Sequence, residues 1–258
     1  MVRLIVYNIE YCIGLTGRYL DYLKFWRFFT TPPRLEERMI AFLKEMKPDI
    51  LALVEVDCGS LRTNRKDEAK DFSKSLHIDN REEMVKYSLT GMKKIIHYIP
   101  YLRKQSNAFI SKYPLKDIRH HFLSAGMHNV VIQATINCPK KVTLLLAHLA
   151  LHRRTRRLQI EEITGIVRGV KGPVMLMGDF NTFNGIEELQ RLLDETHLHD
   201  AVRLDGHTKI HTFPTWHPRK RLDFVLVSKE IKVKQYSVLK AEFSDHLPIL
   251  VDFEVRKS

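Results

Sequence analysis

The sequence predicts one α/β domain built from two packed sheets with helices on their outer faces. Three observations carry this. Short apolar runs rich in β-branched residues recur at strand length, stretches with helical spacing alternate with them, and no shift in composition divides the 258 residues. Apolar residues make up 44% and charged residues 28%, proportions that exclude wholesale disorder, collagen-like repeats and a disulfide miniprotein. No internal repeat of solenoid or propeller length is present.

The strand readings, in chain order, are Leu4–Tyr7, Ile50–Val54, Val130–Ile136, Val142–Ala147, Val174–Met177, Phe224–Val227 and Ile249–Val255, with shorter candidates at Ile95–Ile99 and Ala108–Ile110. Helical spacing shows in Leu35, Met39, Ile40, Leu43 and Met46, after the start signal Thr31-Pro32-Pro33. Two more helices are expected at Arg153–Val167 and Ile186–Leu193. An aromatic-rich insertion is read at about residues 15–33 within a single catalytic domain spanning 1–258. Six of the 24 aromatic residues fall between Tyr19 and Phe29, and Tyr19, Tyr22, Trp26 and Phe29 share one helical face. Such a stripe packs on the domain as core, or lies on lipid as an interfacial helix making peripheral membrane contact.

Forty-two Lys and Arg against thirty Asp and Glu leave a net charge of +12, which favours nucleic acid, anionic lipid or phosphorylated small molecules as partners. Three widely spaced cysteines, Cys12, Cys58 and Cys138, suggest a reducing compartment rather than a disulfide frame or zinc site. The opening residues Met1–Tyr7 lack a signal-like apolar run, so a cytoplasmic location is expected.

The polar residues that close the apolar runs are more specific. Leu4–Tyr7 ends in Asn8, Ile50–Val54 in Glu55, Val142–Ala147 in His148, and Val174–Met177 in Gly178-Asp179-Phe180-Asn181. Asp223 enters one strand, and Ser244-Asp245-His246 precedes the last. Side chains at strand ends converge on one sheet edge, where a rigid scaffold builds sites. Carboxylates, amides and two imidazoles without a thiolate form a hard-oxygen set that suits Mg²⁺ or Mn²⁺. A histidine works as acid or base when a carboxylate fixes its ring, and Asp223 is available for His246.

Together these strings resemble the endonuclease/exonuclease/phosphatase superfamily. The resemblance rests on Tyr7-Asn8-Ile9, Glu55 in Leu-Val-Glu-Val-Asp, Ala147-His148-Leu149, Gly178-Asp179-Phe180-Asn181, Arg221-Leu222-Asp223-Phe224 and Ser244-Asp245-His246-Leu247-Pro248, in the family order. Asn107–Pro114 and Thr212–Trp216 are similar to its connecting segments. It implies a four-layer α/β sandwich with the active site at one end of the paired sheets, and divalent-metal hydrolysis of a phosphate ester. Asn8, Glu55 and Asp245 would bind or position the metal. Asp179 would orient and deprotonate the attacking water, and Asn181 would hold it. His246, oriented by Asp223, would bond the scissile phosphate, with His148 assisting. Whether His246 or Asp179 is the base stays open at this point.

Relatives that cut at abasic DNA sites carry Trp in place of Tyr7 and Thr-Lys in place of Val56-Asp57. The chain is more similar to the branch of small bacterial hydrolases and sphingomyelinase-type phosphodiesterases. The expected function is a phosphodiesterase acting on nucleic acid or phospholipid headgroups. The alternatives are a phosphomonoesterase of small metabolites and a non-catalytic phosphate-ligand-binding protein. Two basic runs, Arg153–Arg157 and His217–Arg221, flank the expected site, and Arg153, Arg156, Arg219 and Asn107 are read as substrate-binding.

Overall fold

The computed structural model describes residues 1–18, 32, 34–61, 63–85, 104–126, 130–202 and 210–256. The aromatic stretch Tyr19–Phe29 and the strand read at Ile95–Ile99 lie outside the described residues.

Two mixed six-stranded sheets form the interior. The first is built from β1 (Val2–Asn8), β2 (Ile50–Asp57), β3 (Asn80–Val85), β4 (Gln105–Ser111), β11 (Ile231–Val238) and β12 (Ile249–Val255), in the order β11-β12-β1-β2-β4-β3. The second holds β5 (Lys116–Phe122), β6 (Val130–Asn137), β7 (Lys141–His148), β8 (Val174–Asp179), β9 (His199–Asp200) and β10 (Asp223–Val227), in the order β5-β6-β7-β8-β10-β9. Each sheet has one parallel pair at its centre, β1 with β2 and β7 with β8.

Those central strands read as unbroken apolar runs because both of their faces are covered. Leu4 and Val6 of β1 face the other sheet, where they join Leu144, Leu146, Met175, Met177 and Val225 in the inter-sheet core. Ile5 and Tyr7, one residue out of phase, pack under Leu35, Met39 and Leu43 of α1 (Leu35–Met46) and Phe72 of α2 (Glu68–Leu76). On the opposite side Leu145, Leu176 and Phe224 meet Ile160, Ile163 and Val167 of α3 (Arg153–Arg168) and Leu192 of α4 (Gln190–Thr196). The layers therefore run helix, sheet, sheet, helix, the expected sandwich. No described helix is long and apolar enough to cross a membrane.

Among the described residues the strands read from sequence form, and Ala108–Ile110 extends to all of β4. The helix read at Ile186–Leu193 is a 3₁₀ turn over Ile186–Leu189 that runs into α4. Strands β3, β5, β9 and β11 and helix α2 are additions. Topology decides where the site lies. Asn8 and Glu55 stand towards the C-terminal ends of one parallel pair, and His148 and Asp179, Cα partners in register, end the other. Asp223 opens antiparallel β10 directly opposite Asp179. Residues 244–246 sit just before β12, whose Ile249 pairs with Val6 near the end of β1. All six positions thus share one edge of the sandwich.

Candidate active site

Asp179 is the hub. It is fully buried, and Asn8 Nδ2 donates to its Oδ2 at 3.1 Å. The Asn181 backbone N–H donates to Oδ1 at 2.9 Å, and Asn181 Nδ2 reaches Oδ2 at 3.3 Å and the Leu149 carbonyl at 2.9 Å. Asn181 has φ 51°, a left-handed conformation that asparagine tolerates and that turns both of its donors inward. Gly178 precedes at φ 132°, and a Cβ there would stand 1.9 Å from the Ala147 carbonyl oxygen, so the close pairing of β7 with β8 requires glycine.

Two imidazoles flank the hub. His246 Nδ1 lies 2.8 Å from Asp223 Oδ2, and its Nε2 is 3.8 Å from Asp179 Oδ2 and 4.0 Å from Asp245 Oδ1. Burial lowers the proton affinity of His246, but Asp223, Asp179 and Asp245 together outweigh it and hold the ring well above the ordinary histidine range. His148 bridges two acids, with Nδ1 3.7 Å from Glu55 Oε1 and Nε2 3.6 Å from Asp179 Oδ2. Glu55 reaches it from an irregularity in β2. The register with β4 shifts between Leu53 and Val56, and Glu55 takes φ 60° there, a bulge that re-aims one side chain.

The acids crowd one another. Burial first, and then Asp223 and Glu55 against the relief from His246, push Asp179 up to about 7. Burial and Glu55 push Asp245 up to about 6. Glu10, which the sequence reading missed, belongs to the same group. Burial, Asp245 and Glu55 raise its carboxyl well above the usual range, and its Oε2 accepts from Leu15 N at 3.1 Å. Its backbone N–H donates to Asn8 Oδ1 at 3.0 Å. The one available signal was the Asn8-Ile9-Glu10 spacing, an acid two residues beyond a strand-end amide. Ser244, named in the Ser244-Asp245-His246 string without a role, ties the two ends of the site together: its Oγ donates to the Asn8 carbonyl at 2.7 Å and accepts from His246 N at 3.2 Å.

Five carboxylates, from Glu10, Glu55, Asp179, Asp223 and Asp245, thus gather around two histidines. Such an excess of half-buried negative charge with oxygen donors fits a hard dication. Asp223 Oδ1 is buried without a hydrogen-bond partner among the described residues, an acceptor that a cation would satisfy. Atoms of Asp179, Asp223 and His246 lie within 4.8 Å of one another and also resemble a metal cluster. The 2.8 Å bond between Asp223 and His246 engages that pair, while Glu10, Glu55 and Asp245 lie close enough to raise the Glu10 carboxyl together. Asn8, read as binding or positioning the metal, donates Nδ2 to Asp179 and accepts the Glu10 N–H.

The residues read as substrate-binding separate. Asn107 is buried beside Glu55, whose N–H it accepts at 3.4 Å, and its Nδ2 has no partner. Arg153 and Arg219 are exposed, the latter with its guanidinium 5.7 Å from the Trp216 ring centre. Arg156 corrects the reading. It is 2% exposed, forks onto Glu188 at 2.7–3.1 Å, and donates Nη1 to the carbonyls of Ala150 and Leu151. Its position on the buried face of α3 gives it to the scaffold. Arg221 likewise binds Asp200 rather than Asp223.

Comparison with known proteins places the chain among relatives of the same fold. A UPF0294 protein of Erwinia tasmaniensis is 27% identical over 161 residues, 62% of this chain and 51% of the relative. The chain spans about half the length of the curated relatives it matches. An endonuclease/exonuclease/phosphatase from Beutenbergia cavernae superposes with a TM-score of 0.74 at 19% identity, covering 99% of this chain and 72% of that one. A mannosyl-6-phosphatase of Bacteroides thetaiotaomicron does so at 0.68 and 14%, covering 98% and 100%. At these identities the structures speak for the fold alone. The sequence model of the Endonuclease/Exonuclease/phosphatase family, however, matches residues 7–246, a span that takes in Asn8, Glu55, His148, Asp179, Asn181, Asp223, Asp245 and His246. With the sandwich and the converged strand ends in place, the chain belongs to the endonuclease/exonuclease/phosphatase family.

Proposed function

We propose that this chain is a divalent-metal-dependent phosphodiesterase that acts on nucleic acid or phospholipid headgroups by attack of an activated water. The observation that carries the reading is the buried Asp179, clamped by Asn8 and Asn181 and flanked by His148 and His246. A base must be held at a fixed angle and bind its proton with an affinity near neutrality, and Asp179 meets both demands.

His246 serves a different purpose. Its Nδ1 is fixed on Asp223 and the surrounding carboxylates raise its proton affinity, which favours Nε2–H as a charged donor for a phosphate oxygen over a base. His148, held between Glu55 and Asp179, adds a second imidazole on the opposite side. The unpartnered Asn107 Nδ2 offers a neutral donor beside Glu55. Glu10, Glu55 and Asp245 would hold a Mg²⁺ or Mn²⁺ ion. Once bound, such an ion supplies positive charge to the non-bridging and leaving oxygens of the ester.

Asp179→Asn tests the reading. The change keeps shape and removes the base, so turnover of bis(p-nitrophenyl) phosphate with Mg²⁺ or Mn²⁺ is expected to fall by about a thousandfold or more, with melting temperature retained. EDTA is expected to abolish wild-type turnover. A variant that turns over at the wild-type rate overturns the mechanism, and failure of every phosphodiester and phosphomonoester with every divalent metal overturns the hydrolase reading itself.

A further inference from the structure

Beside the catalytic edge lies a concentration of positive charge that the chemistry above does not use. A cavity of about 740 Å³ opens at the start of α3, lined by His152, Arg153, Arg154, Arg157, Ile160 and Glu188. Its charge does not balance. Glu188 is the one carboxylate in the wall, and its oxygens already accept Arg156 Nε and Nη2 at 2.7–3.1 Å and Asn184 N at 3.1 Å. Arg153, Arg154 and Arg157 are exposed and form no ion pair among the described residues. Three arginines therefore line one space with no ion-pair partner of their own among the described residues.

The helix itself opposes this arrangement. α3 has no acidic residue in its first turn, and His152 provides no side-chain cap. Cations at that end stand against unsatisfied N–H groups and the positive pole of the helix, where acids are normally favoured. A bound anion offsets both costs at once. Arginine forks suit the tetrahedral oxygens of a phosphate in particular.

Position and extent say what kind of phosphate. His148 and Arg153 are five residues apart, so at most ~18 Å of chain separates the catalytic edge from the cavity. The intervening carbonyls are pinned, Leu149 by Asn181 and Ala150 and Leu151 by Arg156, which fixes the two sites relative to each other. The 3₁₀ segment beyond Asn181 also borders a second cavity, of about 540 Å³, through Ile186 and Glu187. Arg219 and Lys220 line that one, together with Thr182, whose buried Oγ1 has no partner. That cavity also carries Glu187, but Arg219 and Lys220 set two cations against this one acid, and cations in both cavities fit a ligand with several phosphates in a row rather than a single headgroup.

We propose that the Arg153–Arg154–Arg157 cavity is a second phosphate site, which holds a backbone phosphate of a polynucleotide a few nucleotides from the ester at Asp179. This rests on the hydrolase reading and narrows its substrate class to nucleic acid.

The test compares wild type with the full-length triple variant Arg153→Gln, Arg154→Gln, Arg157→Gln on a dinucleotide, an octanucleotide, bis(p-nitrophenyl) phosphate and phosphatidylserine vesicles. The ratio of kcat/KM for the octanucleotide to that for the small diester is expected to fall by about tenfold or more, through KM, and the dinucleotide is expected to lose less. In an Asp179→Asn background, the slope of log affinity for the octanucleotide against log salt is expected to become shallower by ~0.7 for each arginine removed. Arg154→Glu alone places an acid where the helix end favours one. It keeps the measurement open should the triple variant fail to fold, and is expected to weaken octanucleotide binding.

Unchanged salt slopes overturn the proposal, as does an equal loss on dinucleotide and octanucleotide. A loss confined to vesicle binding overturns the assignment to nucleic acid. A wild type that binds the octanucleotide with the arginine-dependent slope yet hydrolyses no ester refutes the hydrolase reading and leaves the second site standing.

Discussion

Arg153 and Arg156 stand three residues apart on α3 and have opposite fates. The first looks into an open cavity, whereas the second is 2% exposed and holds Glu188 with two nitrogens. An ion pair taken out of water gives little net stability, but removing one partner strands the other as an uncompensated charge. Arg156→Ala is therefore expected to destabilise the protein by about 3 kcal/mol, measured by urea unfolding, with Glu188→Ala close behind. The double variant should cost clearly less than the sum, because the two side chains are one unit. Additive losses would mean that the pair does not carry the segment. Since Arg156 also pins Ala150 and Leu151, its loss is expected to slow turnover by loosening the loop that Asn181 grips.

At the scale of elements, the tightest constraint is the contact of β7 with β8. Gly178→Ala would place a methyl group on the Ala147 carbonyl in a backbone conformation that L side chains rarely adopt. His148 and Asp179 are the next Cα pair along this ladder, so the strands cannot separate without moving the site. The variant is expected to lose roughly 3 kcal/mol or more of stability and most of its activity, a prediction that fails if melting temperature and turnover both survive. The same scale shows what the sequence could and could not announce. Central strands such as β1 and β8 are covered on both faces and read as apolar runs. The unannounced strands β3, β5, β9 and β11 are the four sheet edges. Edges carry charge and polar side chains to discourage pairing with other chains, as Asn80-Arg81-Glu82-Glu83 in β3 and Lys232, Lys234 and Gln235 in β11 do, and this removes the alternation that marks a strand. α2 was hidden for a related reason, with few apolar positions beside its Asp67 cap. Within the site, residues that end strands were legible because an apolar run points at each. Glu10 was not, since it lies in a turn where Glu10, Tyr11 and Cys12 all have positive φ and no periodicity marks the place. Arg156 was misread because a charge run does not say which of its members faces inward.

For the molecule as a whole, the net charge of +12 hides a catalytic edge of the opposite sign. In the proposed function, basic walls would draw a polyanion towards the edge, and the acids there would hold a cation before they tolerate one. This couples metal, protons and stability. Asp179 and Asp245, pushed up to about 7 and about 6 chiefly by burial, keep protons in the metal-free fold that the unfolded chain releases at its ordinary carboxylate values. Their contribution to stability is full in acid, below the unfolded values, and is lost as pH rises through about 6 and about 7. A dication reverses the trend, because it replaces those protons and binds more tightly as the carboxyls ionise. The gap in melting temperature between magnesium-saturated and EDTA-treated protein is therefore expected to widen between about pH 5 and pH 8, and calorimetry near pH 6 should register proton release on metal binding. Asp245→Asn removes one of these raised carboxyls, which is also a proposed ligand, and should flatten the widening. A gap independent of pH in the wild-type protein would mean that Glu10, Glu55 and Asp245 do not hold the ion, and that the crowding of acids at this edge answers some other need.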